Sequence, residues 1–329
     1  MITTSRPREL SGITPSGPLT LGNYLGALRR FVDRQHQVDG YYFVADLHAL
    51  TTAHDPARQR HLTRSTAATF VAAGLDPAAS TIFIQSQVPT HVALAYLLEC
   101  TAHVGELSRM IQFKEKGGLP GTRASLFTYP CLMAADILLY QARTVPVGGD
   151  QSQHVELTRD LAHRFNTLYG DTFVVPDLEP AVLAARVADL QHPMIKMSKS
   201  ASDDAVGVIR ILDAPDVIAR KVRRAVTDSD NQVRYDPGIK PGVSNLLDIL
   251  AVLNGTAPGD EAENFRSYGK LKNAVADAVI AALQPIQARH DELAADARHL
   301  DTILRDGAER ALQASQPVFA RAEKAIGIA

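Results

Sequence analysis

Leu10-Ser11-Gly12-Ile13-Thr14-Pro15-Ser16-Gly17-Pro18-Leu19-Thr20-Leu21-Gly22-Asn23 changes character twice within one short stretch. Leu10 to Ile13 is a short extended run, and Thr14 to Pro18 is a dense turn signal. From Gly22 the apolar residues Leu25, Leu28 and Val32, with Phe31 beside the last, recur at helical spacing. Arg29, Arg30 and Asp33 take the other face. Asn23 stands near the helix start, where its side chain could cap free N–H groups. A strand, a Gly/Pro turn and a helix N-terminus in that order offer unpaired N–H groups and a positive dipole end to an anion.

Working outward, Tyr41 to Ala45 is a second apolar strand, closed by Asp46-Leu47-His48. Asp55-Pro56 reads as N-cap and first residue of a helix running to Gly74. Thr81 to Ile84 is a third strand, a helix follows Pro89, and Thr144 to Val147 is a fourth strand ending at Gly148-Gly149-Asp150. Apolar runs without alternation, separated by helices, indicate a parallel sheet covered on both faces. Ligands in such sheets bind beyond the carboxyl ends of the strands. Asp46, His48, Asp150 and the Pro15–Asn23 turn fall there, on one expected crevice. No Gly-x-x-x-x-Gly-Lys-Ser/Thr loop and no Gly-x-Gly-x-x-Gly is present, which disfavours kinase-like and dinucleotide sites.

Met194-Ile195-Lys196-Met197-Ser198-Lys199-Ser200 carries two lysines three apart among small hydroxyl residues. Lysine is a compact charge on a flexible stem, able to follow a phosphate as its charge changes. Alone, an unengaged lysine-rich turn is the plainer reading.

The chain of 329 residues fits two domains, and its charge of −2 at pH 7 confines any RNA contact to a local patch. Cys100 and Cys131 cannot make a structural zinc site by themselves, and both are expected to be buried reduced thiols. The polar Met1–Leu10 stretch lacks a signal-peptide centre, and no apolar run approaches about 18 residues. A cytoplasmic address, with no membrane contact, is the expectation.

Thr20-Leu21-Gly22-Asn23, preceded by Pro15-Ser16-Gly17, resembles the divergent first signature of class I aminoacyl-tRNA synthetases, and Lys196 to Ser200 matches their second. Between them stand Thr128-Tyr129-Pro130, Met133-Ala134-Ala135-Asp136, Val145 to Gln151 and His154 to Leu161. Ala225 to Ser229 and Lys240 to Leu247 continue the series. From about Ser11 to its end the chain resembles the bacterial-type tryptophanyl family. The resemblance implies an α/β fold: a Rossmann-like doubly wound parallel sheet over residues 1–205, followed by an all-helical anticodon-binding domain over 206–329.

It also implies a chemistry. The carboxylate of tryptophan attacks the α-phosphate of ATP, and the aminoacyl group then passes to tRNA(Trp). The attacking group is already a nucleophile, so catalysis rests on positioning and charge stabilisation. Lys196 and Lys199, with Mg²⁺, would hold the phosphates, and Thr20 and Asn23 would contact them from the helix start. Thr14, Ser16, Gly22, Lys116, Met197, Ser198 and Asp150 complete the implied ATP site, with Lys116 equally readable as an unengaged side chain. The implied tryptophan site is Leu10, Thr14, Tyr129, Met133, Asp136, Val145, Val147 and Gln151; none of these residues is assigned to a metal.

The indole needs apolar walls and one acceptor. Met133, Val145 and Val147 supply walls; Asp136, a lone carboxylate in an apolar run and one helical turn from Met133, supplies the acceptor. Its chemistry would serve a tyrosine hydroxyl equally. Thr14 and Leu10 depart from the glutamine and the aromatic usual in close relatives, so affinity or inhibitor response should differ. His48 is readable as structural or as part of the crevice.

After Asp204 helix dominates: Pro215 to Ala225 with Arg220, Lys221, Arg223 and Arg224 clustered, then Ser244 to Leu253, Asp260 to Ala288 and Leu300 to Ala325. The basic cluster would touch tRNA phosphates, which position RNA without reading its sequence. A homodimer is implied, with Pro89 to Met110 as the expected contact. The competing readings are a tyrosine-specific enzyme, a nucleotidyltransferase without tRNA, and a non-catalytic regulatory paralogue.

Overall fold

The computed structural model describes residues 6–117, 121–145, 152–177 and 187–329. Strand β1 (Arg8–Ile13) runs through the Thr14–Thr20 turn into α1 (Leu21–Asn23). A π-helical turn (Tyr24–Leu28) continues it into α2 (Arg29–Arg34). Then come β2 (Asp39–Val44), α3 (Asp46–Ala49), α4 (Pro56–Ala72), β3 (Ser80–Ile84), α5 (Thr90–Glu99), α6 (Val104–Leu107), α7 (Ile111–Lys116), α8 (Ala124–Leu139) and α9 (Ser152–Tyr169). Beyond residue 187 the regular elements are all helical: α10 (Pro215–Arg223), α11 (Pro241–Asn254), α12 (Pro258–Glu263), α13 (Tyr268–Ala295) and α14 (Ala297–Ile326).

β1, β2 and β3 form a parallel sheet in that order, with Leu10 opposite Tyr41 and Phe43 opposite Phe83. Thr144 makes an isolated parallel bridge to Glu9 on the far side of β1. The expected fourth strand is therefore seen as one bridge, since Pro146 and Val147 lie outside the described residues. The spatial order β3-β2-β1-Thr144 reverses direction at β1, the point where sheets of this kind bind ligands.

Alternation along β2 feeds two cores. Tyr42 and Val44 join Ile82, Ile84, Leu21, Leu28 and Phe70 on one face. Tyr41 and Phe43 join Leu10, Phe83, Leu98, Ile137 and Leu161 on the other. Both faces are apolar because helices cover both, so the strands read as unbroken apolar runs. The first core continues through Ile218, Leu246, Leu271 and Leu283, so α10, α11 and α13 share it with the sheet.

Several expectations are corrected. The helix expected over Asp260–Ala288 is two, α12 and α13, broken before the Ser267 N-cap, whose hydroxyl accepts from the Lys270 N–H. Cys131 is buried but Cys100 is exposed, at the end of α5. Lys221 turns inward, donating to the Val208 carbonyl and the Asp213 carboxylate, both at 2.7 Å. Arg220, Arg223 and Arg224 stay exposed.

Candidate active site

The carboxyl end of β1 is where the two signatures meet. Thr20, not Asn23, is the N-cap of α1: its hydroxyl accepts from the Asn23 N–H, while Asn23 Oδ1 accepts from the Thr20 N–H at 3.0 Å. This capping box needs a short hydroxyl at the cap and a polar side chain three residues on, and Thr20 and Asn23 supply both. Thr20 is buried, and its backbone also bridges Arg210.

The Lys196–Ser200 loop is held at its centre by an apolar plug. Met197 is buried in the first core, while its neighbours Lys196 and Ser198 face out. From there the chain turns so that the Lys199 ammonium donates to the Thr14 carbonyl at 2.7 Å. A Cβ on Gly17 would stand 2.0 Å from the Lys199 carbonyl oxygen, so this close approach needs glycine. Burial, and then the charge of Lys196, pull the Lys199 ammonium down to about 8. The downstream limb is held by two arginines. The buried Arg210 donates to the Ser202 carbonyl at 2.7 Å, and Arg58 pairs bidentately with Asp203 at 2.9 and 3.1 Å.

The second polar centre lies in the other core. Asp136, on α8, is 2% exposed. Its Oδ1 accepts from Gln85 at 2.7 Å and His91 at 2.6 Å, and its Oδ2 accepts from His48 at 2.8 Å. With Nδ1 of His91 donating to the carboxylate, its Nε2 is left to accept from the Tyr140 hydroxyl at 2.8 Å. Burial opposes ionisation of Asp136, but the hydrogen bonds from His48 and His91 outweigh it and hold the carboxyl below its ordinary value. Burial also pushes Tyr140 well above the usual phenol range, so it stays a donor.

Tyr129, Met133 and Asp136 lie on one stripe of α8. The Tyr129 hydroxyl is hydrogen-bonded to His154 and pushed up to about 12 by burial, and its ring meets His48 edge-on at 6.0 Å. Leu10 and Val145 belong to the apolar cluster against which Met133 packs. Of the sequence-derived residues, Thr14, Gly17, Thr20, Met197 and Lys199 thus gather around the β1 turn, and Leu10, Tyr129, Met133, Asp136 and Val145 around α8. Ser16 and Gly22 sit in the first group: the Ser16 N–H donates to the Thr14 carbonyl, and Gly22 faces Val187 and Met197. Val147, Asp150 and Gln151 lie outside the described residues, as does the side chain of Lys116.

A family model described as "tRNA synthetases class I (W and Y)" matches residues 3–284. The chain belongs to the class I tRNA synthetases. Among members of this family it is 52% identical to Tryptophan–tRNA ligase 1 of Streptomyces coelicolor, over 98% of this chain and 97% of that protein. The crystal structure of tryptophanyl-tRNA synthetase from Mycoplasma pneumoniae matches with a TM-score of 0.89 and 35% identity, over 98% of both chains. The Campylobacter jejuni tryptophanyl-tRNA synthetase complexed with ADP and tryptophan matches with a TM-score of 0.83 and 32% identity, over 97% of this chain and 99% of that one.

Within this synthetase fold, sequence reasoning missed Gln85, His91 and Arg210. Gln85 had a usable signal: it is the polar residue that ends a buried parallel strand, on the ligand side of the sheet. His91 had none, being one histidine on an otherwise apolar helix. His48, readable from the sequence as structural or as part of the crevice, is hydrogen-bonded to Asp136.

Proposed function

We propose that this chain activates L-tryptophan with ATP and transfers it to tRNA(Trp), releasing pyrophosphate and then AMP. The single observation that carries the reading is the contact of Lys199 with the Thr14 carbonyl, which puts the second-signature loop on the first-signature turn at the end of β1. The kinship with tryptophan–tRNA ligases supports the choice of amino acid.

In the first step a tryptophan carboxylate oxygen bonds to the α-phosphorus, and the bond from that phosphorus to the β-bridging oxygen breaks. No proton moves, so the protein's task is to align the reactants and meet the charge growing on pyrophosphate. Lys199 is half-buried beside the turn, where its ammonium can exchange the Thr14 carbonyl for a phosphate oxygen. Lys196 adds a second cation from the exposed side of the loop. Asn23 Oδ1 accepts from the Thr20 hydroxyl and N–H, which leaves its NH₂ group as the donor toward phosphate. Ammonium groups and backbone carbonyls suit Mg²⁺ carried on triphosphate oxygens rather than caged by side chains, and the ion would supply further charge to the leaving group. In the second step a hydroxyl of the terminal adenosine of tRNA displaces AMP at the activated carbonyl.

Asp136 is the acceptor for the indole N–H. Among the described residues its Oδ2 accepts one hydrogen bond, from His48, and a carboxylate oxygen can accept two. Phenylalanine, lacking the N–H, would leave that capacity unmet, which for sites of this kind gives rejection on the order of 10⁴–10⁵. Residues 1–205 supply this chemistry, and the helices of 206–329 read the tRNA, with Arg220, Arg223 and Arg224 on its phosphates. Val92, Tyr96, Val104 and Ile111, 45–73% exposed on neighbouring helices, support a homodimer through this face. A cytoplasmic setting goes with the reaction; among the described residues no helix is long and apolar enough to cross a membrane.

Amino-acid-dependent exchange of pyrophosphate into ATP tests the reading. Exchange with tryptophan, not with tyrosine or phenylalanine, and charging of tRNA(Trp) are expected. Tyrosine-dependent exchange would replace the substrate, and no exchange with any amino acid would leave only a non-catalytic paralogue.

A further inference from the structure

Two stretches in the chain's second half, Ala225–Ser229 and Lys240–Leu247, have no part in the chemistry above, yet the structure joins both to the lysine loop. Lys196 does not stand on a free loop. It makes an isolated antiparallel bridge with Ala188, and the bonds from Met197 N–H to the Val187 carbonyl (3.0 Å) and from Asp189 N–H to the Ile195 carbonyl (2.8 Å) close a short hairpin. A two-stranded hairpin alone is marginal in water, so something must hold its outer limb.

That limb is gripped from α11. Asn245, 4% exposed, accepts from the Ala188 N–H at 2.8 Å and donates through its NH₂ to the Ala188 carbonyl at 3.1 Å. One carboxamide thus serves both backbone groups of a single residue, as a neighbouring strand would. Leu190 is held on both sides as well: its N–H donates to the Gly207 carbonyl, and its carbonyl accepts from the Val226 N–H at 2.8 Å. The start of α11 is itself anchored by the buried Lys240, whose ammonium reaches Asp228, Asp230 and the Tyr268 hydroxyl. The two stretches are therefore halves of one mount: Lys240 ties the Thr227–Asp230 turn to α11, and Asn245 ties α11 to the strand opposite Lys196.

We propose that Asn245 is a positioning residue for adenylate formation, acting through Ala188 to fix where Lys196 stands. This rests on the ligase reading. The Asn245 carboxamide bonds to the Ala188 backbone, so its effect reaches the reaction through the hairpin register. A buried pair of backbone groups left unmatched would loosen the hairpin, and a displacement of about 1 Å at a phosphate-holding cation is enough to cost on the order of 10²-fold in rate.

The test is a double-mutant cycle on the full chain, read by tryptophan-dependent pyrophosphate exchange. Asn245→Ala is expected to lower kcat/KM for ATP by about 10- to 100-fold with KM for tryptophan changed by less than about twofold. In a Lys196→Ala background the same substitution should cost less than about twofold further, because the group it positions is gone. Equal losses in both backgrounds, or a loss shared equally by ATP and tryptophan, would make Asn245 a plain structural residue and overturn the proposal. Asn245→Asp keeps the shape and the acceptor but faces the Ala188 carbonyl with oxygen, so it should resemble the alanine variant. Hydrogen exchange on the native chain needs no variant: the Ala188 and Met197 amides should be protected like core amides, and exchange at exposed-loop rates rejects the mount. Should the native chain catalyse no exchange at all, the ligase reading falls and the positioning role with it. Protected amides would then identify that outcome as a failure of the function and not of the hairpin mount.

Discussion

Lys199 and Asp136 show opposite uses of burial. At Lys199 burial and the neighbouring Lys196 both weaken the charged form, and the ammonium is pulled down to about 8. At Asp136 burial again disfavours charge, yet His48 and His91 donate to the carboxylate and the anion wins. In the proposed reaction the first group gains a counter-charge from ATP; the second already has its partners. The consequence for Lys199 can be measured. Its ammonium is charged below about 8 and neutral above, and only the charged form attracts phosphate. In the free enzyme, kcat/KM for ATP should therefore fall by about tenfold per pH unit above that value. Bound phosphates favour the ammonium, so the matching limb in kcat should lie at higher pH. Lys199→Arg, whose cation does not titrate in this range, should remove the limb even if it lowers the rate. A flat kcat/KM for ATP from about pH 7 to about pH 10 in the native chain would show that this charge is not used. Asp136 could be picked out in the sequence because a carboxylate amid Ala134-Ala135 and Ile137-Leu138-Leu139 is costly without a purpose. Its partners could not, because Gln85 and His91 lie 51 and 45 residues away along the chain.

Among the elements, the Lys196–Ser200 loop is defined by what grips it on either side. Its upstream limb is the hairpin on Asn245, its centre is the Met197 plug, and its downstream limb rests on Arg210 and Arg58. Arg210 matters most downstream, since its backbone bridges Thr20 and its guanidinium holds Ser202, so one residue ties both signatures together. The exposed Arg58–Asp203 pair should contribute little, because solvent screens it. Arg210→Lys keeps the charge but loses the planar fork. It should raise the rate of tryptic cleavage after Lys199 by about tenfold, the loss of roughly one hydrogen bond from a charged donor. Cleavage at the native rate would show that the downstream limb is held by something other than Arg210. Sequence periodicity located β1 to β3, the Asp55–Pro56 helix start and the helical second half, since these follow from local pattern. It misplaced the cap of α1 because Thr20 and Asn23 are both good cap residues, and only the backbone angles choose between them. It merged α12 with α13 because apolar spacing continues past the break, which a single serine cap decides.

For the whole molecule, the deciding element is the last one. Sequence pattern alone groups α14 with the helices after Asp204, but in the structure it also lies on β3. Leu300, Ile303 and Leu304 enter the first core, while Ala308, Ala311, Val318 and Ala322 enter the second. The helix therefore crosses the open edge of the sheet and joins the two cores. The crossing is polar as well: Arg310 donates to the Pro77 carbonyl at 2.9 Å, and the Thr90 and Ser315 hydroxyls meet at 2.8 Å in a buried contact. An uncovered parallel edge would offer its carbonyls to another chain, so α14 also protects solubility. The tightest point is Gly307, where a Cβ would stand 1.8 Å from the Ile82 carbonyl oxygen. That atom belongs to a strand paired on its other side with β2, so it cannot give way, and any side chain at 307 must lift the helix. Gly307→Val should therefore cost about 1–3 kcal/mol by overpacking, although valine is apolar and the site is buried. The melting temperature should fall by several degrees, at about 2 °C per kcal/mol for a large chain. The variant should also aggregate more readily on warming, because lifting α14 bares the β3 edge. Gly307→Ala, with the same Cβ and nothing beyond it, should show most of the effect, since the clash lies at that first atom. Wild-type melting in both variants would mean that α14 does not press on β3 as described, and the sheet edge would need another cover.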